Sequence, residues 1–302
     1  MTYLQLAAHL FLLLFWARLW VKPADAFSFN PFLSGPTRLT DNVLGFLRPA
    51  LPLPGRLTPL AALALFWTFQ AMFFARFSRE WTMTIGVMQF TPPEGALSWG
   101  TQFAYSGLYT AQFLILAWTV YFFTQLIARP GHENRAQEAF TFFTAPFSRL
   151  PLFLQPFVLL ALHAALAVTV VRVGTLPNLV ELVQEAGGKS LPPEVFAGAS
   201  VLTHAKIICL ALMSFTSGLQ TLMYTLIFFL FGGLAAALFG AKTPMSVCRE
   251  SADVLLGRFS RNPAATGGGF DFTPVLFIIA VSFISGQLQL VLIRLIQTPP
   301  PL

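Results

Sequence analysis

Five stretches of this chain run without a charged residue: Thr58 to Ala75, Thr101 to Ala128, Leu152 to Val171, Ile207 to Ala241 and Phe272 to Ile293. Each reaches the roughly 18 residues that a helix needs to cross the hydrocarbon core of a bilayer. A sixth run, Met1 to Ala17, is shorter. It completes a crossing if Arg18 snorkels and Trp20 and Val21 finish the helix. The expected fold is therefore an all-α membrane bundle of about six transmembrane helices. Composition agrees, with 56% hydrophobic and 10% charged residues, against about a quarter charged in a soluble domain.

The positive charges orient these spans. Loops and basic ends after spans one, three and five hold 12 of the 18 Lys and Arg residues. Positive-inside preference places that side in the cytoplasm and both termini outside. The net charge of +6 then reflects orientation and contact with anionic headgroups; it supports no nucleic-acid contact. An "ADA" at Ala24 to Ala26 resembles a signal cleavage site, but no positive residue precedes the apolar core and Arg18 and Lys22 follow it. The segment reads as a retained first span. Ile207 to Ala241 could turn near Ser217-Gly218 or Gly232-Gly233. That would move the basic loop Lys242 to Arg261 outside, so one long helix is expected. Cys209 in an apolar run and Cys248 in a loop read as unpaired thiols, without a CxxC pair for redox or zinc chemistry.

A proline opens a span three times, in "GRLTPLAAL" at Pro59, "LFLQPFVLL" at Pro156 and "GFDFTPVLF" at Pro274. Proline suits the first helical turn because its missing N–H has no helical partner there. Thr58 and Thr273 precede it, where a hydroxyl can cap free N–H groups; Gln155 takes that place in the middle copy. Before each of these spans lies an amphipathic stretch with apolar residues every three or four positions. The faces are Leu39, Val43, Phe46 and Leu47, then Ala136, Ala139, Phe140, Phe143 and Phe147, then Val247, Val254, Leu255 and Phe259. The stretches end in Arg48, Arg149 and Arg261. Such helices either lie in the headgroup plane with arginine near phosphate or pack on the bundle from the cytoplasm. The outer connections rhyme as well, in Pro92-Pro93-Glu94 and Pro192-Pro193-Glu194. Together these copies define three parallel modules, 1–80, 81–175 and 176–302, each a span, a basic amphipathic helix and a Pro-led span.

The third module carries "DVLLGRFSR" and then "GGGFDFTPVLFII". An acid, an aromatic, a small hydroxyl residue and a proline that opens the second span make this module resemble the YggT family of bacterial membrane proteins, related to the YlmG proteins of cyanobacteria and chloroplasts. The first module has Arg56 in place of the acid and the second has Phe153. The resemblance implies a membrane protein linked to osmotic or ion stress, with chloroplast relatives linked to cofactor assembly and nucleoid distribution.

Asp271 sits just before the last span, where free N–H groups and the positive dipole end stabilise a carboxylate. Gly267 to Gly269 let the chain turn into it. The leading expectation is a helix-entry device. Pairing with Arg258 or Arg261, and a catalytic or ion-path role, are the further readings. His9 and His163 lie inside spans and His204 near the start of one. Intramembrane ionisable groups are functional candidates, and paired histidines can hold haem, but these occur singly, so hydrogen-bonded histidines and no cofactor or metal are expected. Gln70, Gln112, Gln220 and Gln287 could line a path or bond between helices. Lys206 and Arg294 are placed to snorkel. Hydrolase, zincin, phosphate-loop and dinucleotide motifs are absent from the sequence. The expected function is non-enzymatic: an assembly factor of the cell inner membrane, with the bilayer and other membrane proteins as partners. A small-solute or ion transporter or channel is the alternative.

Overall fold

The computed structural model describes residues 3–20, 30–50, 57–77, 83–85, 88–90, 98–128, 135–173, 204–259, 266–267 and 270–297. These form helices α1 (Tyr3–Trp20), α2 (Pro31–Ala50), α3 (Leu57–Phe77), α4 (Trp99–Ile127), α5 (Arg135–Phe143), α6 (Gln155–Val173), α7 (His204–Leu238), α8 (Lys242–Leu256) and α9 (Thr273–Gln297). Two short antiparallel pairs interrupt the helices. β1 (Met83–Ile85) pairs with β2 (Met88–Phe90), and β3 (Thr266–Gly267) with β4 (Phe270–Asp271). Neither pair is expected from an all-α reading. Each is two or three residues a side, too short to show an alternating pattern.

Three helices, α4, α7 and α9, are long and apolar enough to cross a membrane. The apolar described parts of α1, α3 and α6 are shorter. α7 is one continuous helix of 35 residues, about 52 Å at 1.5 Å per residue. Its Gly232-Gly233 pair breaks nothing; it admits a neighbour. A Cβ on Gly232 would stand 3.2 Å from Cys248 Sγ, and one on Gly233 3.4 Å from Cys248 Cβ. Cys248 thus lies in α8 rather than in a loop.

The three prolines occupy the expected turn. Pro59 is the third residue of α3, and Pro156 and Pro274 are the second of α6 and α9. Main-chain bonds follow Pro156 and Pro274: Val158 N–H donates to Leu154 O at 3.1 Å and Leu276 N–H to Phe272 O at 3.0 Å. Thr58 departs from the expected cap, because its buried Oγ1 has no hydrogen-bond partner among the described residues.

Contacts divide the chain into two compact units. The first comprises 1–71, 121–151 and 224–277, and so receives the three amphipathic helices α2, α5 and α8. In it α2 packs on α5 and α5 on α8, while α1 packs on both α2 and α5. Phe15, Leu44, Leu47 and Ala62 form a core there, with Phe66 stacked on Phe11 and Phe15. The second unit comprises 72–120, 152–223 and 278–302. Leu159, Leu210, Met213 and Leu222 are buried in it, together with His163.

Candidate functional site

α2 packs by one flank and leaves another bare. On α2, Leu33, Leu44 and Leu47 are buried and Val43 half-buried against the core, yet Leu39 is exposed and Phe46 is 81% exposed. Leu39 and Phe46 are seven residues apart and share a stripe of the helix. The expected single apolar face is therefore two. On α5, Ala136 and Ala139 are buried, while Phe140 of α5 and Phe147 beyond it meet Tyr121 edge-on at 5.5 and 6.3 Å. On α8, Leu255 is buried and Val247 and Val254 are half-buried; beyond it, exposed Phe259 meets Phe277 at 5.5 Å.

A 3-10 turn follows α5 at Phe147–Arg149 and α8 at Gly257–Phe259. Arginine from each turn reaches the end of an earlier helix. Arg149 Nη2 donates to Trp20 O at 3.1 Å, at the last residue of α1. Arg258 Nε donates to Ala128 O at 3.1 Å, just past α4. The last carbonyls of a helix lack intrahelical donors and carry the negative dipole end, so a cation there satisfies both needs. Arg149 therefore caps α1 and Arg258 caps α4. Two further contacts seat the turns: Trp16 Nε1 donates to Ala145 O at 2.8 Å, and Gly257 lies so close to α4 that a Cβ would stand 2.2 Å from Ile127 O. α7 ends differently. It closes itself: Gly240, at φ +66°, donates to Ala237 O at 3.1 Å and Ala241 N–H to Ala236 O at 2.8 Å. This is the glycine-terminated Schellman pattern.

Buried polar groups form a second constellation, in the second unit. His163 is fully buried. Its Nε2 lies 2.9 Å from Thr119 Oγ1 of α4 and its Nδ1 2.8 Å from Ser214 Oγ of α7. Thr119 spends its hydroxyl proton on Ile115 O at 2.7 Å, so it accepts from His163. The hydrogen-bond pattern thus assigns the Nε2–H tautomer, with Ser214 donating to Nδ1. Both ring nitrogens are occupied, so neither faces an open ligand position. In the first unit His9 Nε2 lies 3.3 Å from Gln70 Nε2. An amide nitrogen donates, which makes this His9 nitrogen the acceptor and leaves the proton on Nδ1.

Compared with family models, with curated proteins and with solved structures, the chain matches none.

The remaining sequence candidates fall as follows. Gln220 Nε2 donates to Gln289 Oε1 at 3.2 Å; the buried glutamine of α9 is Gln289, and Gln287 is exposed. Spacing alone would have selected Gln289, which shares a face with buried Ser285 and Ile296. Arg18 pairs with Asp41 of α2. Lys206 is buried rather than extended to the surface. Arg48 is exposed at the end of α2. Thr273 is buried at the start of α9. Asp271 lies in β4, its backbone in register with Thr266. Arg261, the Asp271 side chain and the pairing expected between them lie outside the described residues. Among the described residues there is no group of three or more His, Cys, Asp or Glu that could hold a metal ion.

Proposed function

We propose that the chain is a YggT-like protein of the bacterial inner membrane with six spans in three parallel modules, 1–80, 81–175 and 176–302, and both termini outside. It performs no catalysis of its own and organises or helps assemble a membrane complex, in a setting of osmotic or ion stress. The observation that carries this reading is an unpacked aromatic stripe on α7. Tyr224, Phe228 and Phe231 are each more than 60% exposed at helical spacing, and Leu234 and Leu238 continue the surface. In lipid, helices associate through packing and hydrogen bonds rather than through exclusion of water. A rigid aromatic stripe offers a large surface to a partner's helix at small entropic cost. The polar side chains within the helices favour the same reading over a solute path, since His163, Thr119 and Ser214 are spent on one another.

Affinity purification from membranes in mild detergent tests this. The wild-type protein should bring down a defined companion at fixed stoichiometry. The triple variant Tyr224→Ala, Phe228→Ala, Phe231→Ala should lose it while remaining monodisperse. Purified protein in liposomes should carry no saturable flux of ions or small solutes. Such a flux would replace the assembly reading with a transporter.

A further inference from the structure

We propose that the row α2–α5–α8, with the turns after α5 and α8, is a binding surface for the phosphates of acidic phospholipids. Arg38, Arg48, Lys242, Arg249, Arg149 and Arg258 are exposed on it. The exposed carboxylates among its described residues, Asp41 and Glu138, are already engaged. Asp41 pairs with Arg18, and Glu138 Oε2 accepts from Asn30 Nδ2 at 2.9 Å. Across α2, α5, α8 and the two turns, seven cations (Arg38, Arg48, Arg135, Arg149, Lys242, Arg249 and Arg258) stand against four carboxylates (Asp41, Glu138, Glu250 and Asp253), an excess of three positive charges. Guanidinium has five donors in a planar fork that matches phosphate oxygens. Arg149 and Arg258 each give one nitrogen to a helix-end carbonyl and retain others at the surface.

The occupant follows from where these charges stand. α1, α4 and α7 all end in this unit, at Trp20, Ile127 and Leu238. The ends of apolar helices mark the headgroup level, where Trp16 and Trp20 also suit the interface and meet in a tilted contact at 5.9 Å. Leu39 and Phe46 are exposed on the same helix as Arg38 and Arg48. A phenylalanine so exposed is poorly placed in water. At the headgroup boundary it enters the acyl layer while the arginines meet phosphate. A soluble polyanion would leave that apolar stripe uncovered, whereas a lipid covers both. The inference uses the membrane placement proposed above but not the assembly role.

Full-length protein in maltoside micelles would be titrated with phosphatidylglycerol or with phosphatidylcholine of the same chains, following its thermal unfolding. Phosphatidylglycerol should raise the midpoint more, and the difference should shrink as salt rises, because surface attraction to acidic lipid is screened. The variant Arg38→Gln, Arg48→Gln, Lys242→Gln, Arg249→Gln spares both helix-capping arginines. It should need at least about ten-fold, and up to about 1,000-fold, more phosphatidylglycerol for the same shift. The matching lysine-for-arginine variant at 38, 48 and 249 keeps the charge but not the fork; it should fall between wild type and the glutamine variant, which shows that the loss follows charge rather than misfolding. Equal shifts from both lipids would overturn the proposal, as would a glutamine variant with undiminished preference. An equal shift from inorganic phosphate alone would show an anion site without lipid recognition and would overturn it too. None of these outcomes touches the membrane placement, which the thiol labelling described below tests independently.

Discussion

Gly257 is where the addition of one methyl group should be felt most. It ends α8 at φ +52°, with its N–H on Asp253 O, and a Cβ would collide with the backbone carbonyl of Ile127. Gly240 also has positive φ, but nothing lies within 4 Å of its missing Cβ. Gly257→Ala should cost about 3 kcal/mol, strain and clash together. Gly240→Ala should cost about 1–2 kcal/mol, from the left-handed conformation alone. Thermal unfolding in one detergent would rank them, and equal losses would contradict the close approach to α4. The histidine network allows a finer test. Thr119→Val removes the only acceptor shown for His163 Nε2–H. Inter-helix hydrogen bonds in lipid average about 0.6 kcal/mol and reach about 1.7. Thr119→Val and His163→Phe should therefore be less than additive by an amount in that range. Full additivity would show the bond contributes nothing.

At the scale of elements, the turns after α5 and α8 cap the ends of earlier helices. Arg149 closes α1, Arg258 closes α4, and α7 closes itself through Gly240. A cation at a helix C-terminus is worth about 0.3–1 kcal/mol, enough to alter fraying without unfolding the molecule. Arg149→Gln should speed amide hydrogen exchange in the last turn of α1 and leave that of α4 unchanged. Arg258→Gln should do the reverse. If either substitution loosened both ends equally, the two clamps would not be separate devices.

At the scale of the whole molecule, the testable statement is which side of the membrane the row of amphipathic helices occupies. With Cys209 and Cys248 replaced by serine, single cysteines placed beside Arg48 and Arg149 should resist impermeant thiol reagents in intact cells and react after permeabilisation. A cysteine beside Arg76 should react at once. Labelling from outside at both positions of the row would reverse the orientation. The same result would leave the lipid surface to be sought on the other leaflet.

Much of this protein is legible in its residues. Uncharged runs specify long apolar helices because lipid tolerates no unpaired backbone and few charges, and α4, α7 and α9 meet that description. The prolines at 59, 156 and 274 mark helix starts because a ring without N–H is harmless only there. The amphipathic stretches at α2, α5 and α8 follow from spacing. What spacing could not specify is the partner of each face. Leu44 and Leu47 were separable from Leu39 and Phe46 only once α1 and α3 were in place, since both sets lie on apolar stripes of one helix. The β3–β4 pair was too short to show a pattern. The arginine clamps join residues 129 and 130 positions apart, and no local preference reports such a contact. His163 shows the division most simply. Its position in an apolar run said that its ring must be hydrogen-bonded. That the donors and acceptors are Ser214 and Thr119, from two other helices, was decided by packing, because only the assembled helices bring those hydroxyls to its two nitrogens.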